Sequence, residues 1–171
     1  IKVNLFGFHF ATLDVRQNSR VHEAVYEDVV KYYLDKNSNV FPDNFYELSD
    51  DERCVILSTV SGDLNPNDFE NEMTRSTIES IHAIKEIQEK NGEFGSNRYI
   101  ISNNEGALHV MEAFALFHLS GWENPAVDII PLFESIEDLH KAHEVIEKLY
   151  TNPAYVEHLS NRGKTQTIML G

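Results

Sequence analysis

Two side-chain types stand where parallel α/β folds place their chemistry: an arginine with a planar fork of donors, and a hard carboxylate. Four short β-type runs can be marked in the sequence, over residues 6–15, 98–102, 127–133 and 165–170. When strands alternate with helices, functional residues gather just past the carboxyl ends of the strands. Past the first run comes Asp14-Val15-Arg16-Gln17-Asn18-Ser19, and past the second Ser102-Asn103-Asn104-Glu105. Past the third comes Phe133-Glu134-Ser135, and past the fourth Gly171. The Arg16 guanidinium suits a phosphate or a carboxylate. The Glu134 oxygens suit Mg²⁺ or Mn²⁺. With the amides of these runs on the same rim, the set points to a metal-assisted reaction on a phosphorylated or carboxylated small molecule.

Each of these residues also has a plain structural reading. Asp14 is a ready ion-pair partner for Arg16, and Glu134 precedes a helix start whose dipole favours an acid. His140-x-x-His143 puts two imidazoles on one helix face, but two ligands do not make a zinc site, so it reads as solvated surface. His9, His109 and His118 fall within apolar patterns and read as core or boundary histidines. Cys54 has no second cysteine and no neighbour that would activate its thiol. Gly7, Gly106 and Gly121 form no phosphate-cradling loop, and the GxGxxG and P-loop patterns are absent.

Helical patterns lie between the runs and must position these groups. Ser19 reads as a cap for a helix with Val21, Val25, Val29 and Tyr33 on one face. Asn65-Pro66 with Asp68 opens a helix carrying Phe69, Met73, Ile78, Ile81, Ile84 and Ile87, which Asn91-Gly92 stops. Residues 105–119 are apolar almost all round, as expected of a helix buried between layers. Ser135-x-x-Asp138 is a capping-box start to a helix burying Leu139, Ala142, Ile146 and Leu149, and Asn152-Pro153 breaks it and begins another turn. The stretch 35–68 has no clear place beyond a short helix in Asp-Asp-Glu-Arg-Cys-Val-Ile-Leu. Strands alternating with helices at this spacing predict parallel βαβ units, either a (β/α) barrel or an open doubly wound sheet.

Composition bounds the partners. The 171 residues fit one domain, and 28 acidic against 14 basic side chains give a net charge of −14. That excess repels phosphate backbones, so no nucleic acid is expected as partner. No apolar run is long enough to span a membrane, and no targeting peptide is visible. One cysteine forms no disulfide framework and suits a reducing, cytoplasmic setting. The absence of an initiator Met and the β-type runs close to both ends read as a segment of a longer chain.

Four motifs, in order, carry a resemblance. Asp14-Val15-Arg16-Gln17-Asn18-Ser19-Arg20-Val21-His22 resembles the D-[IV]-R-Q-x-S-x-x-H segment of the phosphoenolpyruvate carboxylases. Tyr99-Ile100-Ile101-Ser102 resembles their Y-[IV]-I-S strand. Pro131-Leu132-Phe133-Glu134-Ser135-Ile136-Glu137-Asp138-Leu139 is similar to their P-L-F-E-[TS]-[LI]-x-D-L motif. Ile168-Met169-Leu170-Gly171 resembles the opening of M-[LI]-G-Y-S-D-S-x-K-D. The resemblance covers the whole sequence but only a central part of a family member. It implies four consecutive strands of a helix-rich (β/α)₈ TIM barrel and a cytoplasmic homotetrameric parent. That parent converts phosphoenolpyruvate and bicarbonate into oxaloacetate and phosphate, replenishing the tricarboxylic acid cycle, with Mg²⁺ or Mn²⁺. By motif match Arg16 is a catalytic, substrate-side arginine and Glu134 a metal ligand, with Gln17 at the substrate and Ser19 and His22 in support. The family's T-A-H-P-T histidine motif, its R-G-G loop and its Y-S-D-S carboxylate are absent here, so the chain alone is expected to be inactive. Two alternatives stay open: another metal-dependent phosphoenolpyruvate or pyruvate barrel enzyme, and a non-enzymatic αβ interaction domain.

Overall fold

The computed structural model describes residues 11–171. The expectations for residues 6–10, and those for Gly7 and His9, lie outside the described residues. Four strands form one parallel sheet whose spatial order follows chain order: β1 (Asp14–Asn18), β2 (Arg98–Ser102), β3 (Asp128–Phe133) and β4 (Met169–Leu170). Among the described residues six α-helices accompany them: α1 (Ser19–Asp35), α2 (Asp50–Leu57), α3 (Glu72–Asn91), α4 (Ala107–Leu119), α5 (Ile136–Thr151) and α6 (Pro153–Asn161). The chain is α/β and helix-rich, as the alternating pattern predicts.

The sheet has two unlike faces. Tyr99, Ile101, Ile129 and Phe133 join one large core with Val25 of α1, Leu57 of α2, Ile78 of α3, Val110 of α4, Val145 of α5 and Tyr155 of α6. The alternate residues Ile100, Ile130 and Leu132 form a separate small cluster with Met169 and no helix residue. Strand side chains alternate between faces, so among the described residues the helices cover one side and the other shows strand residues alone.

Several boundaries move from their sequence positions, each for a local reason. β1 is the polar segment Asp-Val-Arg-Gln-Asn, shifted toward the carboxyl end of the apolar run that suggested it. Ser19 is not the cap of α1. Asn18 is, accepting from the Arg20 N–H at 3.0 Å, while the Ser19 hydroxyl donates to the Asn103 carbonyl at 2.6 Å. Asn65-Pro66 opens only a 3₁₀ turn (Pro66–Asp68), and α3 starts at Glu72 under its own cap, Asn71. Phe69 is buried without being helical. The chain ends α3 as expected, with Gly92 at φ +89°, a conformation that favours glycine.

The Ser135–Asp138 capping box and the Asn152 cap of α6 are present as read. Leu139, expected in the core, is exposed, because α5 buries Val145 and Leu149 on the face that meets the core. The fourth strand shrinks to two residues. Upstream of it, Gln166 replaces backbone pairing by donating to the Ile129 carbonyl at 2.9 Å and accepting from the Tyr155 hydroxyl at 2.9 Å. The stretch 35–68 is structured throughout, and it delivers Phe41, Phe45, Leu57, Val60 and Leu64 to the core.

Candidate functional site

Arg16 lies inside β1, level with Ile100 of β2 and Ile130 of β3. Level residues of a parallel sheet point to the same face, so the guanidinium sits on the face without helices. Glu134 follows β3 directly and shares that face with Ile130 and Leu132 by alternation. β2 separates β1 from β3, a gap of about 10 Å at the usual strand spacing. The two side chains close that gap: Arg16 Nη2 donates to Glu134 Oε1 at 2.9 Å. Because Glu134 is four residues beyond Ile130, the guanidinium leans toward the carboxyl end of the sheet to reach it. The expected pairing of Arg16 with Asp14 does not occur, since Asp14 Oδ1 lies 3.7 Å from Arg98 Nη1.

Both partners remain open to solvent, with side chains 53% and 48% exposed. The end of β4 closes against Glu134. Gly171 donates its N–H to the Phe133 carbonyl at 3.1 Å, and a Cβ at Gly171 would stand 3.3 Å from Glu134 Cγ. A glycine therefore leaves the carboxylate room at that point.

Behind the rim, the other motif residues hold elements together. Ser19 is fully buried, and its hydroxyl also accepts from Asn103 Nδ2 at 3.1 Å. This two-way clamp ties the first turn of α1 to the β2–α4 loop, where Asn103 adopts φ +55°. His22 is fully buried, with Nε2 2.9 Å from the Tyr99 hydroxyl and its ring stacked on Tyr99. Burial lowers its pKa from 6.5 to about 3, with His109 adding to the shift, so the imidazole is neutral at pH 7. Gln17, level with Ile101, lies on the opposite face of the sheet from Arg16, and its Oε1 accepts from the Asn18 N–H at 3.0 Å. The structure thus brings Arg16 and Glu134 together, sets Ser19 and His22 behind them, and turns Gln17 away.

Glu134 fits as one ligand of Mg²⁺, a cation that keeps several waters and is held through one or two carboxylates. Among the described residues no three His, Cys, Asp or Glu side chains converge, so these residues offer one hard ligand and no complete cage. His140 and His143 are exposed, in keeping with a solvated face. His109 and His118 are buried and half-buried, as expected of core and boundary positions. Burial raises the Cys54 thiol to about 12, which keeps it unreactive. A cleft of about 320 Å³, lined by Ser58, Phe114, His118, Glu123, Glu157 and His158, opens by the C-terminal ends of α4 and α6, away from the rim.

One feature had no counterpart in the motif reading. Glu112, in the middle of α4, is wholly buried, and its Oε1 accepts from Arg53 Nη2 of α2 at 3.1 Å. The available signal was an acid in the centre of a helix apolar on every side, which demands a partner. The sequence does not say that the partner is Arg53, 59 positions away.

A phosphoenolpyruvate carboxylase family model matches residues 1–171. The chain belongs to the phosphoenolpyruvate carboxylase family. The phosphoenolpyruvate carboxylase of Nitrosomonas eutropha is 33% identical over 180 residues, covering 99% of this chain and 19% of that protein. The enzyme of Nitrosomonas europaea is also 33% identical, covering 98% of this chain and 18% of its own length. That of a Synechococcus strain is 30% identical and covers 99% and 17%. The chain therefore spans about a fifth of the length of the curated relatives it matches. No helix among the described residues is long and apolar enough to cross a membrane.

Proposed function

We propose that residues 1–171 form a central segment of a phosphoenolpyruvate carboxylase and supply one arc of its active-site rim. The parent, in this reading a cytoplasmic enzyme, carboxylates phosphoenolpyruvate with bicarbonate to give oxaloacetate and phosphate. The observation that carries the reading is the meeting of Arg16 and Glu134 at 2.9 Å on the sheet face that bears Ile100, Ile130 and Leu132, in a chain of this family. The barrel reading draws support from strand order following chain order and from the six helices of the described residues sharing one core on one side. A doubly wound sheet would carry helices on both faces.

In this mechanism Arg16 holds a phosphate oxygen and balances charge as the phosphoryl group leaves the enol oxygen. Glu134 would be one carboxylate ligand of a divalent ion, and a bound Mg²⁺ or Mn²⁺ would supply neutralisation of the negative charge that develops during the transfer. Ser19 and Asn103 fix the turn that follows Arg16, and His22, neutral and packed on Tyr99, keeps α1 seated on β2. The segment by itself holds one rim arginine and one metal carboxylate, and in this reading it turns over nothing alone.

The test is Glu134→Gln in the full-length carboxylase, assayed by bicarbonate-dependent oxaloacetate formation across a Mn²⁺ series. An amide is a poor hard-cation ligand. The expected result is a loss of about 100-fold or more in kcat/KM with a higher Mn²⁺ requirement. Wild-type turnover at the wild-type Mn²⁺ requirement would reduce Glu134 to a residue that merely precedes a helix.

A further inference from the structure

β2 lies between the strand that carries Arg16 and the strand that Glu134 follows, and the loop that continues it, residues 102–106, enters α4. Ser102, two residues beyond Ile100, shares the sheet face of Arg16 by alternation. We propose that His109 and Glu23 are positioning residues that hold this loop, and with it the turn behind Arg16, in the shape the rim needs. The inference rests on the functional reading above and adds two residues to it.

The loop has a costly conformation that calls for anchors. Asn103 sits at φ +55°, a left-handed backbone that residues other than glycine adopt at a cost. Asn104 is 1% exposed, and among the described residues neither polar atom of its side chain has a partner. Gly106, the N-cap of α4, has no side chain with which to close the turn. Two side chains take over that task. Ser19 clamps Asn103, and His109, in the first turn of α4, accepts the Glu105 N–H at Nδ1 over 3.2 Å. An N–H donates only to an unprotonated Nδ1, so the ring proton sits on Nε2, 3.1 Å from Glu23 Oε1. Glu23 therefore fixes both the tautomer and the tilt of the ring. Ser19 and Glu23 stand four residues apart on α1, so both anchors reach the loop from one face of the helix that follows Arg16. The loop is tied at residues 103 and 105, and releasing one tie lets it relax away from the shape that seats Arg16.

The experiment uses the full-length carboxylase, with steady-state kinetics for phosphoenolpyruvate and hydrogen exchange of residues 102–109 read by mass spectrometry. His109→Leu removes both bonds of the ring. His109→Asn puts Oδ1 at the same reach from the backbone as Nδ1, and so restores the acceptor for the Glu105 N–H without the contact to Glu23. Misplacing a rim group costs turnover, so His109→Leu should lower kcat about ten-fold while its loop exchanges faster. His109→Asn should recover most of both, a rescue that a purely space-filling role would not give. Glu23→Ala, which leaves the ring in place, should cost about three-fold in kcat and also speed loop exchange, and it decides the matter should His109→Leu fail to fold. Wild-type kcat and exchange in Glu23→Ala, or an Asn variant no better than Leu, would overturn the positioning role. Glu134→Gln, assayed alongside, separates the two readings. A crippled Glu134→Gln beside an unaffected His109→Leu removes the positioning pair alone, whereas wild-type turnover in both removes the functional reading with it.

Discussion

Two arginine–glutamate pairs of nearly equal length divide this molecule. Arg53 meets Glu112 at 3.1 Å between α2 and α4, with side chains 15% and 0% exposed. Arg16 meets Glu134 at 2.9 Å on the rim, with both side chains about half in solvent. The chemistry of the contact is the same, and the surroundings reverse its meaning. Inside, desolvation is the dominant force on Glu112 and lifts its carboxyl to about 8 despite the guanidinium beside it. Glu112 Oε2 and Arg53 Nε are left without partners, so the pair cannot be dismantled without stranding polar groups in the core. On the rim, water compensates whatever the pair gives up. A buried pair belongs to the scaffold, whereas an exposed pair can part at little cost.

The largest effect that would break this comparison is on stability. Arg53→Ala removes the donor that the described residues offer the Glu112 carboxylate, and the guanidinium lying 5.1 Å over Phe45 and 5.5 Å over Tyr46. Breaking a buried pair on one side costs about 3 kcal/mol or more. Urea denaturation should show that loss, with Arg53→Lys falling between, because lysine keeps the charge and lacks the fork. A cost under about 1 kcal/mol for Arg53→Ala would place the pair in the same class as the rim.

A smaller effect sharpens the comparison through pH. The folded pKa of Glu112, about 8, lies above its ordinary value of 4.5, so the folded state holds a proton that the unfolded chain has released. Its contribution is complete below 4.5 and is lost as pH rises toward 8. His22 and His158 run the other way. Burial lowers them from 6.5 to about 3 and about 4, so their contributions are complete above 6.5 and fade as pH falls. Between pH 6.5 and 8 only the Glu112 slope remains from these three groups, at most about 1.4 kcal/mol per unit. Unfolding free energies measured across that window should fall for the wild type and stay flatter for Glu112→Gln. Parallel curves would mean that Glu112 is ionised in the fold throughout.

How far the sequence reveals each pair differs for a physical reason. Glu134 is legible because strand ends in an α/β pattern are privileged positions and the capping box Ser135–Asp138 fixes where the strand before it must stop, whereas Arg16, expected past the end of the first strand, lies inside β1 and is legible from its motif alone. Their mutual contact is not legible, since it depends on which strand lies between them. β1 is misplaced by its apolar flank, because the strand itself is the polar run Asp14–Asn18, with Asp14, Arg16 and Asn18 alternating onto one face. Gln17 follows Arg16 in the motif, yet strand alternation turns it to the other face, which no residue type announces. The stretch 35–68 resists periodicity because its core residues are delivered by turns. Phe41 and Phe45 meet edge-to-face at 5.1 Å across a non-helical segment. Arg53 hides in that stretch, and so its pairing with Glu112 hides too.

The smallest effect is the one the rim pair should have on folding. Arg16 is exposed, its carboxylate partner is exposed, and neither closes over an unsatisfied group, for no atom of either is buried without a partner. An ion pair in that setting contributes between nothing and about 1 kcal/mol, and salt screens what there is. Arg16→Gln keeps a polar side chain of similar reach on the same strand face, so the sheet register with Ile100 is undisturbed. Its unfolding free energy from urea denaturation should match the wild type within about 1 kcal/mol, and the difference should vanish in 0.5 M salt. A loss from Arg16→Gln as large as that from Arg53→Ala would show the rim pair to be scaffold like the buried one.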